Sequence, residues 1–148
     1  MTILLVGLLA GLLDGIAATL LFLARGNKNP GTLFRYIASA VFGKAAFAEG
    51  GFMVFMGLLF HFLIALAFVS CYFLLYAHIS WLGAYPLAAA AVYGLLIWVI
   101  MNLGVLPLSK AAPRPFSWSF ALINMLILMV AIGLPTAYLA RQYFQSCL

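Results

Sequence analysis

The chain has 148 residues, 68% of them hydrophobic and 6% charged, with seven Lys and Arg against two Asp and Glu for a formal charge of +5. An average soluble domain is about 45–50% apolar and covers its surface with charge, so this composition excludes a water-soluble globule and makes the bilayer the expected solvent. The basic residues are sparse and interleaved with apolar ones, which excludes a nucleic-acid footprint and leaves the charge as topological information.

A transmembrane helix needs about 20 apolar residues. Four runs meet that length, near residues 2–24, 53–76, 86–107 and 117–140. They lack the alternation of a membrane barrel and are too few to close one. The expected fold is therefore an all-α integral membrane domain: a bundle of four transmembrane helices, with an amphipathic interfacial helix between the first two.

In chain order, the first run has no Lys or Arg before it, is longer than the roughly 7–15 residues of a signal-peptide core, and carries Asp14 in its middle, so it reads as a retained helix. Gly7, Gly11 and Gly15 form two overlapping GxxxG spacings on it. Such a face permits close helix packing within the monomer or in a homo-oligomer, and places this helix at the centre of the bundle. Asp14 falls on nearly the same face as Gly7 and should point inward. An acid at a helix centre costs roughly 2.5–3.5 kcal/mol on insertion scales. It reads either as a proton- or cation-binding carboxyl whose anion the hydrocarbon disfavours, or as a structural acid hydrogen-bonded to a neighbouring helix.

Arg25-Gly26-Asn27-Lys28-Asn29-Pro30-Gly31 then closes the helix with turn formers. Between 30 and 50, Leu33, Phe34, Ile37, Val41 and Phe42 recur near helical spacing with Arg35 and Lys44 between them, as in a helix lying at the membrane surface. Glu49-Gly50-Gly51 should separate it from the second span. That span contains His61, read as a helix–helix hydrogen-bonding residue or as a proton-relay partner of Asp14. It also contains Cys71, a small buried hydrophobe; Cys147 is a tail thiol. Pro86 opens the third span at a tolerated first-turn position. Pro107, Pro113 and Pro115 break the third connection, and Pro135 should kink the last span, its freed carbonyl taken by a neighbouring helix, the Thr136 hydroxyl or water.

Arg25, Lys28, Arg35, Lys44, Lys110 and Arg114 share one side of this topology, and Arg141 alone lies on the other. The positive-inside rule then puts both termini outside the cytoplasm, with Trp81, Tyr85, Trp118 and Tyr143 as interfacial anchors. At 1.5 Å per residue Asp14 lies roughly 15 Å, His61 roughly 12 Å, and Asn102 and Asn124 roughly 8–10 Å from the basic face. The expected ligand- or proton-binding residues are therefore Asp14, His61, Asn102 and Asn124, in that half of the bundle. The opposite half offers Ser70, Tyr72, Tyr93 and Thr136. No metal set, phosphate cradle or nucleophile triad is visible, so no cofactor is expected and catalysis is not favoured.

The run from Gly57 through His61 to Phe68, then Tyr72, Tyr93-Gly94 and Asn102-Leu-Gly-Val-Leu-Pro107-Leu108-Ser109, resembles an uncharacterised bacterial inner-membrane family typified by YagU. The likeness covers the second and third spans and the Gly-rich first helix. It implies an inner-membrane location and a loose association with acid tolerance, without a catalytic mechanism or ligand. Members of that family begin with basic residues before the first span, whereas this chain begins Met1-Thr2-Ile3. Two functions are expected. One is binding or translocation of a proton or small solute through a polar half-cavity around Asp14 and His61. The other is a non-transporting subunit that packs against a partner membrane protein. Membrane lipids are partners under either.

Overall fold

A computed structural model of the chain describes residues 2–48 and 50–146; Glu49 of the expected break and the tail thiol Cys147 lie outside the described residues. Among them all regular structure is helical: α1 Thr2–Ala24, α2 Gly31–Phe42, α3 Ala45–Ala48, α4 Gly51–Tyr76, α5 Ser80–Ala84, α6 Pro86–Leu108 and α7 Trp118–Ser146. Four of these, α1, α4, α6 and α7, are long and apolar enough to cross a membrane. The last runs six residues beyond the expected end at 140.

Local chemistry sets the breaks. After α1, Gly26 takes a left-handed φ of 89°, and the Asn29 side chain accepts the Gly31 N–H at 2.9 Å to start α2. Gly43, with φ 63°, ends α2 by donating its N–H to the Ser39 carbonyl at 2.8 Å. Pro86 occupies the first turn of α6 as expected.

The internal prolines act differently from expectation. Residues Ile100–Val105 of α6 and Met129–Gly133 of α7 are π-helical, and each stretch ends one residue before a Leu-Pro pair, Leu106-Pro107 and Leu134-Pro135. Proline lacks an N–H and its ring collides with the carbonyl four residues back. Widening the preceding turn to i→i+5 bonding moves that carbonyl aside and gives it another donor. The Thr136 hydroxyl, one of the three expected partners of the freed carbonyl, has no hydrogen-bond partner.

α1 packs on α4 and α7, α7 packs on α6, and α6 meets α4 through the edge-to-face pair Tyr93 and Tyr72 at 4.8 Å. The Tyr93 hydroxyl donates to the Phe68 carbonyl at 2.6 Å. The expectation that α1 is central is corrected: 22% of its most apolar stretch is buried, against 39% in α7. α1 touches α4 along its glycine face, while Leu5, Leu12 and Leu20 face outward.

Helix contacts are made where side chains are smallest, as hydrocarbon provides no hydrophobic force between helices and dispersion requires close approach. A Cβ on Gly7 would lie 3.2 Å from the Leu66 Cα, and one on Gly94 2.5 Å from the Met129 Cα. A Cβ on Gly57 would run into the Phe34 carbonyl, which seats α2 against α4, and one on Gly133 into the Ala90 carbonyl. The main core, including Val6, Ala10, Val69, Tyr72, Ala90, Ile97, Ile132 and Ala137, fills the half away from the basic connections. The basic end has a small second cluster of Ala38, Ala46 and Met53.

These contacts rank the glycines. Gly57→Ala and Gly94→Ala meet backbone, which cannot rotate away, and should each destabilise by about 1–3 kcal/mol. Gly11→Ala meets the ring edge of Phe62 at 2.8 Å and should cost less, whereas Gly11→Leu should separate α1 from α4. Thermal unfolding in detergent checks the order, and equal Tm values for Gly57→Ala and Gly11→Ala would refute it.

Candidate functional site

The seam between α1 and α4 carries the polar chemistry of the bundle interior. His61 stands one turn after Gly57, where α2 is drawn against α4, and its ring is walled by Phe34 at 6.5 Å and Phe62 at 5.5 Å, both edge-to-face. Opposite it α1 presents Gly11 and Gly15. The His61 Nε2 lies 2.8 Å from the Gly11 carbonyl, a geometry in which Nε2–H donates and Nδ1 is left as the lone-pair nitrogen. A Cβ on Gly15 would sit 3.1 Å from that same Nε2. The glycine face is thus the floor on which an imidazole reaches main chain, as well as a packing surface. The next carbonyl on this face, that of Gly15, accepts the Thr19 hydroxyl at 2.7 Å.

Asp14 sits beside this floor, in the turn between Gly11 and Gly15, and is 9% exposed. His61 lies within electrostatic range of it, yet the two are not in direct contact as an ion pair, because Nε2 is turned to the Gly11 carbonyl. Among the described residues the Asp14 carboxyl makes no hydrogen bond to a protein group, a lack it shares with the buried Tyr72 and Thr136 hydroxyls, whereas Thr19, Ser70 and Asn102 close onto carbonyls of their own helices.

A groove of about 350 Å³ opens along the seam, lined by Gly11, Gly15, Thr19, Phe34, His61 and Phe62 with flanking aliphatic side chains. Its surface is almost wholly apolar, with His61 the ionisable group in it. Asp14 is not among the residues that line it.

The structure brings Asp14 and His61 together and leaves the asparagines apart. Asn102 lies in the π-helical stretch of α6, its Nδ2 donating to the Trp98 carbonyl at 2.9 Å. Asn124 is half-buried on α7 and lines neither groove. Gly57 and Phe34, which hold His61 in place, went unnoticed as packing residues in the sequence. The i, i+4 spacing of Gly57 and His61 was the available signal. Among the described residues no three His, Cys, Asp or Glu side chains gather as a metal-ligand set.

The basic connections close one end of the bundle. The Arg25 guanidinium lies 4.6 Å over the Phe120 ring and reaches the Ser119 hydroxyl at 3.4 Å, tying the end of α1 to the start of α7. Arg114 lies 3.5 Å over the Tyr36 ring, and the Tyr36 hydroxyl donates to the Ala112 carbonyl at 3.2 Å, tying the third connection to α2. Arg114 is exposed overall, and the partial desolvation of its guanidinium lowers its pKa from the ordinary value, a shift that Tyr36 opposes in its phenolate form. Arg35 is half-buried with its Nε unpartnered, and Lys44 is exposed. Of the expected anchors, Trp118, at the start of α7, is 75% exposed and Trp81, in α5, is 40% exposed.

Nitrogen-15 NMR of His61 should report the Nε2–H tautomer, and Gly15→Ala should displace the ring from the Gly11 carbonyl and shift both ring nitrogens. Unchanged His61 resonances in Gly15→Ala would contradict this geometry. Compared with family models, curated proteins and solved structures, the chain finds no match.

Proposed function

We propose that this is a multi-pass protein of a bacterial inner membrane that binds, and passes along the α1–α4 seam, a proton or a small solute coupled to one, with Asp14 as the exchanging carboxyl and His61 as its relay. The observation that carries this reading is the Asp14 carboxyl. The residue is 9% exposed in a segment apolar enough to span a membrane, no hydrogen bond joins its carboxyl to a described protein group, and the carboxyl oxygens are not among the fully sealed polar atoms. A structural acid holding two helices together would instead be bonded to its neighbour. A group without a partner in an apolar setting has its ionic form disfavoured unless a proton or cation joins it, which is the behaviour of a binding carboxyl. His61, within electrostatic range of Asp14, keeps one ring nitrogen unbonded and lines the groove. Asn102 and Asn124, first expected among the ligands, have at most a peripheral part in this reading.

A second reading, a subunit packing against a partner membrane protein or a second copy, is favoured by a separate observation. The groove walls are nearly all apolar, and α1 presents an unbroken aliphatic face through Leu5, Leu8, Leu12, Ile16 and Leu20.

The experiment is flux in reconstituted vesicles containing a pH-sensitive dye. Asp14→Asn keeps shape and most hydrogen-bonding capacity, so the protein should remain folded and lose pH-dependent flux, and His61→Ala should displace the pH dependence. Flux that is equal in Asp14→Asn and the unmodified protein, or absent from both, would refute the first reading and direct attention to copurifying partners.

Orientation is part of the proposal: the basic end faces the cytoplasm and both termini face away from it. In a background without native cysteines, Ser80→Cys should react with an impermeant thiol reagent in intact cells and Lys110→Cys should not, both positions being exposed. The reverse pattern would invert the topology and agree with the basic-first arrangement of the YagU-like family.

A further inference from the structure

A second groove, of about 500 Å³, lies between α2, α4 and α6 on the flank away from His61's groove. Its walls are Ile37, Val41, Phe60, Leu63, Ile64 and Met101 with their aliphatic neighbours, and its polar residues, Tyr36 and Ser109, come from the basic end. From Ser109 to Met101 the wall descends about 12 Å at the rise of a helix. The cleft exists because α2 is seated on α4 at Gly57, while α6 widens into its π-helical turns over the same depth.

The mouth is basic. The Lys110 N–H donates to the Ala40 carbonyl at 3.0 Å, fixing the third connection at the rim. A Cβ on Gly43 would lie 3.7 Å from the Lys110 Cβ, so the turn that carries Lys44 abuts Lys110. Both lysines are exposed. An apolar slot of this depth with two exposed lysines at its rim matches one chemistry: an acyl chain continuous with an anionic headgroup.

We propose that this groove is a binding site for an anionic phospholipid of the surrounding bilayer, one acyl chain lying between α2, α4 and α6 and its phosphate meeting Lys44 and Lys110. The lipid completes the packing of the basic half, where protein side chains alone form a small core. It also holds α2 against α4, and with it Phe34 against His61.

The test is thermal unfolding of the full chain in a neutral detergent, titrated with a short-chain phosphatidylglycerol, the matching phosphatidylcholine, or inorganic phosphate. Phosphatidylglycerol should raise Tm at lower concentration than phosphatidylcholine, and phosphate alone should have no effect. The surface pair Lys44→Gln/Lys110→Gln should leave Tm without lipid unchanged and shift the phosphatidylglycerol midpoint on the order of tenfold or more, to that of phosphatidylcholine. Ala40→Phe, which fills the slot, should abolish the response to both lipids. Equal midpoints for the two headgroups, a preference that survives the double lysine change, a response untouched by Ala40→Phe, or a Tm rise with phosphate alone would each overturn the proposal. Asp14→Asn should retain the lipid response, which separates failure of this site from failure of the proton-exchange reading.

Discussion

In hydrocarbon the lipid tails are as apolar as the helices, so a bundle is held by how closely its backbones approach and by the few polar groups it can satisfy. Gly57 beneath the Phe34 carbonyl is where this constraint acts most strongly, because no side chain fits there. The contact seats α2, which positions Tyr36 for Arg114 and Ala40 for Lys110, so the third connection docks on the second helix. It also leaves His61, one turn further along α4, facing the glycine floor of α1. The same principle at Gly94 and Gly133 joins α6 to α7 on the other side of the bundle.

The two ends of the molecule are built differently. The half away from the basic connections has a continuous core of Val69, Tyr72, Tyr93, Ile97, Ile132 and Ala137, with the Tyr72 and Thr136 hydroxyls sealed in it unpartnered. The basic half has grooves and only a small core, together with the buried acid, the histidine and the π-helical stretch of α6. Open grooves are a cost to stability, and the parts of a protein that exchange ligands come from such regions. Both proposals lie in this half: proton exchange on the α1–α4 seam, and a lipid in the cleft between α2, α4 and α6.

Much of this was legible in the sequence because the bilayer allows few solutions. Apolar run length located all four spans, and the 3.6-residue spacing of Leu33, Phe34, Ile37 and Val41 located α2. The GxxxG pattern marked a real contact face on α1, but its partner could not be read: a repeat gives the face of a helix, not which helix meets it. For the same reason α1 was placed at the centre, a position that α7 fills through its small residues Ala131, Gly133, Ala137 and Ala140. Depth along the helices brought Asp14 and His61 to one level. It could not show that Nε2 turns to the Gly11 carbonyl, or that Asn102 closes on its own helix, since both depend on rotamer and azimuth. The prolines were recognised as disruptive. Their remedy, a widened turn ahead of each Leu-Pro, has no sequence signature beyond the repetition of that pair.

The central claim is that Asp14 exchanges a proton while embedded in the bundle. Infrared difference spectroscopy between acidic and alkaline buffers, on protein in lipid, reads that event directly. A carboxylic-acid carbonyl band should change intensity with pH and vanish in Asp14→Asn. A spectrum whose carboxyl bands are the same in Asp14→Asn and the unmodified protein would contradict the account.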